Sequence, residues 1–128
     1  MLDRLDRLES GTGGWLTAQD DRALREAAVD MTLRALRAAA DPTNFVILSF
    51  LSTRATAPLA ELESASGLGR LALNERVSDL VQVGLASRNI DTDQAQITAG
   101  GAALVELIQS IGEATAKRLA EALQPVTR

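Results

Sequence analysis

Residues 57–98 read APLAELESASGLGRLALNERVSDLVQVGLASRNIDTDQAQIT. Ala57-Pro58 is expected to open a short helix with Leu59, Leu62 and Ala65 turned inward. Gly67-Leu68-Gly69 is a turn, because paired glycines punctuate helical patterns. The next helix runs from about Arg70 to Gln82, with Leu73, Val77 and Leu80 on one face at helical spacing. Gly84 is placed to follow that helix in a left-handed conformation. Leu85 to Ile90 alternates as a strand, Asp91-Thr92-Asp93-Gln94 is a turn cluster, and Ala95 to Thr98 returns as a second strand. Two short helices joined by a glycine turn and followed by a strand hairpin give the order of a winged helix-turn-helix. The second helix must lock one face to the core and project the other outward, with the hairpin beside it as a wing.

Outward from this stretch the pattern stays helical. Asp41-Pro42 ends one helix and starts another, because proline disfavours a helical residue before it and suits the first helical position. The helix before it is expected over about Thr17 to Ala40, with Thr17 and Asp20 in its capping region and Leu24, Ala28, Met31, Ala35 and Ala38 on one face. The helix after it carries Phe45, Ile47, Leu48 and Leu51 and ends near Thr53. A last helix is expected from about Gly100 to Leu123, with Leu104, Leu107, Ile108 and Ile111 inward and Pro125 closing it. Residues 1–16 are expected to form a tail and a glycine-rich linker. Leu2, Leu5 and Leu8 form a short apolar strip in it, and Trp15 plugs a core edge. Residues 17–128 form the folded domain. The fold class is mainly α with a small β-hairpin.

The chain has 128 residues, 46% of them apolar and only 2% aromatic, so its core must be aliphatic. It has no Cys and no His. Thiolate and imidazole metal sites, disulfides and histidine general bases are thereby excluded. No cofactor is implied. The run Gly11-Thr12-Gly13-Gly14 lacks the lysine and the preceding strand of a phosphate loop and reads as linker. No nucleophile–base pair is visible, so the chain is not expected to be an enzyme. No apolar stretch approaches the roughly 18–20 residues that span a bilayer. The first residues alternate Leu with Asp and Arg, unlike a signal peptide, so a cytoplasmic location is expected.

The run Ala40-Asp41-Pro42-Thr43 followed by Phe45, Ile47 and Leu48 resembles the "ADPTR-x-x-IL" signature of ArsR-type regulators. Leu59-Ala60-Glu61-Leu62, Gly67-Leu68, Val77, Leu80 and Gly84-Leu85 fit the same pattern. Arg88 to Ile97-Thr98-Ala99-Gly100-Gly101 is similar to the wing of MarR-type regulators. The resemblance covers about residues 35 to 101. It implies a dimeric, DNA-binding transcriptional regulator whose N- and C-terminal helices make the subunit interface. Asn44 stands where the ArsR pattern usually has Arg, and the absence of Cys and His means that metal sensing is not carried over.

The resemblance implies double-stranded DNA and a second copy of the chain as partners. Arg70 and Asn74 at the start of the projecting helix would contact DNA, with Arg76 and Arg88 at its flanks and Arg54 adding a phosphate contact. The charge pattern supports an alternative. The outward face of that helix shows Leu71, Ala72, Glu75, Asp79 and Gln82, and residues 57–98 carry three arginines against six carboxylates. The whole chain has a net charge of −4. A winged helix repurposed to bind a protein partner through Leu71, Glu75, Asp79 and Gln82 is the second reading, because fold does not imply function.

Overall fold

The computed structural model describes residues 13–124, with side chains from Asp20 onward. The strip of Leu2, Leu5 and Leu8, the Trp15 side chain and Pro125 lie outside what is described. The elements in chain order are α1 (Gly13–Ala39), α2 (Pro42–Arg54), β1 (Thr56–Pro58), α3 (Leu59–Ser66), α4 (Arg70–Gln82), β2 (Ala86–Asn89), β3 (Gln94–Ile97) and α5 (Ala99–Leu123). Two compact units divide the chain, residues 1–34 and Ala35–Arg128.

In the first unit α1 is already helical at Gly13, so residues 13–16 are helix and not linker, and Thr17 is not its cap. Glycine costs about 1 kcal/mol relative to alanine within a helix but does not forbid it. Leu24, Ala28 and Met31 of the expected inward face are exposed, as are Val29 and Leu33. Asp30 and Arg34 pair one turn apart at 3.1 Å.

The second unit is built on an aliphatic core. Ile47, Leu48 and Leu51 of α2, Leu59 and Leu62 of α3, and Leu73, Val77 and Leu80 of α4 are fully buried. Ala35 and Ala39 at the end of α1, and Val105 of α5, complete the same cluster. These are the spacings that helical periodicity predicts for one buried face each. Ala65, expected inward, is exposed in the last turn of α3. Asp41 caps α2 as anticipated: the backbone N–H groups of Thr43 and Asn44 donate to its Oδ1 at 2.9 and 3.1 Å, with Pro42 in the first turn.

The β structure is larger than a hairpin. It is a three-stranded antiparallel sheet in the order β1-β3-β2. Thr56 pairs with Gln96, which in turn pairs with Ser87 of β2. Ala57-Pro58 therefore belongs to an edge strand, where a missing proline N–H is tolerated, and α3 starts one residue later, at Leu59. The Leu59 N–H at the start of α3 donates to the Asp93 carbonyl at 3.1 Å, so the wing turn supplies the cap that Pro58 does not. Gly84 has a φ of 81°, the left-handed conformation expected after α4.

Thr98 caps α5 by accepting from the Gly101 N–H at 3.0 Å and donates to the Gly84 carbonyl at 2.7 Å. Only Gly101 and Val105 of α5 are buried; Leu104 and Ile108 pack partly against the core, and Leu107 and Ile111, expected inward, are exposed together with Leu119 and Leu123. The stripe is real, but its distal part extends past the core of the unit. No described helix is long and apolar enough to cross a membrane.

Candidate nucleic-acid interface

Helix α4 has Leu73, Val77 and Leu80 locked inward, so its other side is free. Leu71 is 77% exposed, and Glu75, Asp79 and Gln82 are exposed beside it. At the wing tip Ile90 is 80% exposed. Among the described residues, no ion pair involves Glu75, Asp79 or Asp91. The free carboxylates of this face therefore repel an incoming polyanion.

The four candidate arginines, Arg54, Arg70, Arg76 and Arg88, are each ion-paired. Arg70, the first residue of α4, donates from Nη1 to Glu63 Oε2 at 2.8 Å and from Nη2 to Asp93 Oδ2. Its two terminal nitrogens are thus held by two different carboxylates, one on α3 and one in the wing turn. Arg88 donates to Asp93 Oδ1 and to Asn74 Oδ1, each at 3.1 Å. Strand alternation explains why it can. Arg88 pairs in register with Ala95, which pairs with Ala57. Both alanines are buried, so Arg88 lies on the inner side of the sheet, under the wing. The structure thus brings Arg70, Asn74 and Arg88 together: Asp93 joins the two arginines, and Arg88 carries the link to Asn74.

Arg76 and Arg54 do not join this cluster. Arg76 pairs with Asp41 at 2.9 Å and reaches Asn44 Oδ1 at 3.5 Å. Asn44 is buried and donates to the Ala38 carbonyl at 3.0 Å. The residue that departs from the ArsR pattern thus ties the end of α1 to α2 and faces α4. Arg54 pairs with Glu61 at 2.6 Å and lies over the Phe50 ring at 4.5 Å.

Hydrogen bonding from Arg70 first, then from Arg88, holds the Asp93 carboxyl below the ordinary carboxylate range. The Arg70 guanidinium is raised by its own bonds, first the one to Glu63 and then the one to Asp93. The Asn44 N–H, then Arg76, lower the Asp41 carboxyl. A carboxyl depressed in the folded chain contributes stability that is complete above its unfolded value, about 3.9 for Asp, and is lost as pH falls through the folded value. The melting temperature should therefore hold steady from neutral pH to about pH 5 and drop below about pH 4. Asp41→Asn should start lower at neutral pH and lose less on acidification. An acid limb with equal slope in both proteins would show that Asp41 carries no such linkage.

Among solved structures the chain is similar to the homodimeric winged helix-turn-helix DNA-binding domain of a possible ArsR-family regulator, Mb0332 from Mycobacterium bovis. The TM-score is 0.62 at 20% identity, over 79% of this chain and 93% of that one. The chain has the winged helix-turn-helix fold. MarR from E. coli matches with a TM-score of 0.57 at 22% identity, over 81% of each chain. The transcriptional repressor BigR from Xylella fastidiosa matches with a TM-score of 0.54 at 24% identity, over 73% of this chain and 94% of that one. No family model matches the sequence, and no curated protein does. In the winged-helix frame α3 and α4 are the helix-turn-helix pair, α4 stands in the recognition position, and β2–β3 is the wing.

Sequence reasoning named Arg70, Asn74 and Arg88 but missed what joins them. Asp93 entered it only as a turn residue and an acidic charge, and Glu63 only in the count of carboxylates. The one local signal was the Arg88–Asp93 spacing, which brackets a tight hairpin turn.

Proposed function

We propose that the protein is a homodimeric, cytoplasmic transcriptional regulator that binds double-stranded DNA through α4 and the wing, with no catalytic activity. The observation that carries this reading is the recognition-position helix: α4 is anchored on one side only and starts with Arg70 and Asn74 beside the wing. That end of the helix is where winged-helix proteins meet base edges and phosphates. Asn74 accepts from Arg88 at Oδ1, which leaves its amide N–H groups to donate to an acceptor on a base edge. The homodimeric state described for the Mycobacterium bovis domain supports a two-fold assembly here, as do the exposed apolar residues of α5.

One observation favours a protein-docking role instead. Arg54, Arg70, Arg76 and Arg88 are all ion-paired, while Leu71, Glu75 and Asp79 stand free in the same region. A basic protein surface with an apolar pocket would suit that face. Glu75→Lys separates the two readings. If α4 faces DNA, the substitution removes repulsion and should strengthen binding to a mixed-sequence duplex several-fold. If α4 docks a protein, Glu75→Lys and Leu71→Ala should abolish partner capture and leave duplex binding absent throughout.

A further inference from the structure

We propose that Asp93 and Glu63 are intramolecular stand-ins for DNA phosphate, which pair with both terminal nitrogens of Arg70 at the head of the recognition helix and thereby hold down the protein's affinity for sequence-unrelated duplex. The proposal rests on the DNA-binding reading and adds specificity-setting residues to it.

The geometry is that of a filled anion-recognition fork. Both terminal nitrogens of Arg70 are occupied, Nη1 by Glu63 and Nη2 by Asp93. Guanidinium recognises phosphate through the same two nitrogens. Two of the five guanidinium N–H donors are thereby used, one on each terminal nitrogen, so a phosphate that takes Arg70 through both terminal nitrogens competes with carboxylates that already hold them.

The placement adds a second reason. Arg70 occupies the first position of α4, after Gly69, and α4 has no acidic residue in its first turn and no side-chain cap. A cation at a helix N-terminus opposes the positive end of the helix dipole. Glu63 and Asp93 bring the missing negative charge from α3 and from the wing turn. DNA phosphate would bring the same charge to the same place.

The pairs are also built to exchange. Arg70 is 42% exposed at its side chain, and Glu63 and Asp93 are 32% and 47% exposed. Ion pairs this open to water are weak. They compete with a polyanion without excluding it. Arg88 differs: it lies under the sheet, 28% exposed, and positions Asp93 and Asn74.

Asp93 is suited to a clean test. Its φ of 54° is left-handed, a conformation that Asn adopts as readily as Asp. Its backbone carbonyl accepts from Leu59, and its N–H donates to the Ile90 carbonyl at 3.3 Å, so the turn does not depend on the carboxylate. Binding of the full chain to a mixed-sequence duplex would be followed by fluorescence anisotropy over a salt series. The proteins compared are wild type, Asp93→Asn, Glu63→Gln, the double variant, and the double variant with Arg70→Ala. The double variant should bind roughly tenfold tighter at low salt. Its log–log salt slope should steepen by about 2 per dimer, one phosphate contact per freed Arg70. Arg70→Ala should cancel both gains. Should Asp93→Asn lose its fold, Glu63→Gln carries the test with a smaller gain in the same direction. If wild type binds and the variants bind no tighter, the proposal fails while the DNA-binding reading stands. The same holds if the gain survives Arg70→Ala, because it then reflects net charge alone. If none of the proteins binds duplex, the DNA-binding reading itself fails.

Discussion

Gly101→Ala should destabilise the fold by at least about 3 kcal/mol, the upper range for overpacking a tight site. A Cβ at residue 101 would lie 2.2 Å from the Leu85 carbonyl oxygen, 2.8 Å from Ile97 Cγ1 and 3.1 Å from the Leu85 carbonyl carbon. Two of these are backbone atoms next to β2, so relief requires α5 to move off the sheet. Val105 and the half-buried Leu104 and Ile108 would lose their packing with it. Gly100 is the internal control. A Cβ there meets only the Gly84 carbonyl oxygen at 3.7 Å and Thr98 Oγ1 at 3.8 Å, which are ordinary contacts. Gly100→Ala should be neutral or stabilise by up to about 1 kcal/mol, because alanine loses less freedom than glycine on entering a helix. Urea unfolding of the two variants checks the pair. Equal midpoints would mean that α5 does not approach the sheet as closely as described.

Ile111→Glu should convert a dimer into a monomer. Helix α5 has 25 residues, a length of about 37 Å at 1.5 Å per residue. Its core contacts end at Ile108, and beyond them Ile111, Leu119 and Leu123 are exposed. Burying an isoleucine is worth roughly 1.5–3 kcal/mol, and a two-fold interface contains the residue twice. Losing both raises the dimer dissociation constant by about 100-fold or more, before the cost of burying two carboxylates. Sedimentation velocity at micromolar concentration should show a dimer for wild type and a monomer for Ile111→Glu. Duplex binding should fall with it if, as proposed, each subunit of a dimer holds one half-site. A monomeric wild type, or a variant that stays dimeric, would remove α5 from the interface.

The sequence made the local structure legible where one residue type has one physical use. Leu73, Val77 and Leu80 announced the buried side of α4, Asp41-Pro42 the junction of α1 and α2, and Gly84 a left-handed turn. Strand β1 was not legible, because three residues carry no periodicity and its partner Gln96 is 40 positions away from Thr56. The apolar stripe of α5 showed in the spacing, but periodicity cannot tell a core from a second subunit, so Leu107 and Ile111 were placed inward. The candidate site divides in the same way. Helix position nominated Arg70 and Asn74 as candidates. Their partners come from tertiary geometry: Asp93 lies 23 residues from Arg70, and Asn74 lies 14 from Arg88. Counting charges along the chain made residues 57–98 look merely acidic, whereas three of those six carboxylates, Glu61, Glu63 and Asp93, hold arginines and the other three stand free.

Whether this winged helix acts on DNA is decided by titrating the wild-type protein against duplex DNA over a range of salt concentrations. With Arg70 tied to two carboxylates and Glu75, Asp79 and Asp91 free, few phosphates are neutralised per subunit. The expected result is measurable binding at low salt with a shallow log–log slope, of magnitude below roughly 4 per dimer. No retention of duplex at low salt, with protein at concentrations where the dimer is formed, would contradict a DNA-binding function and leave the exposed face of α4 to a protein partner.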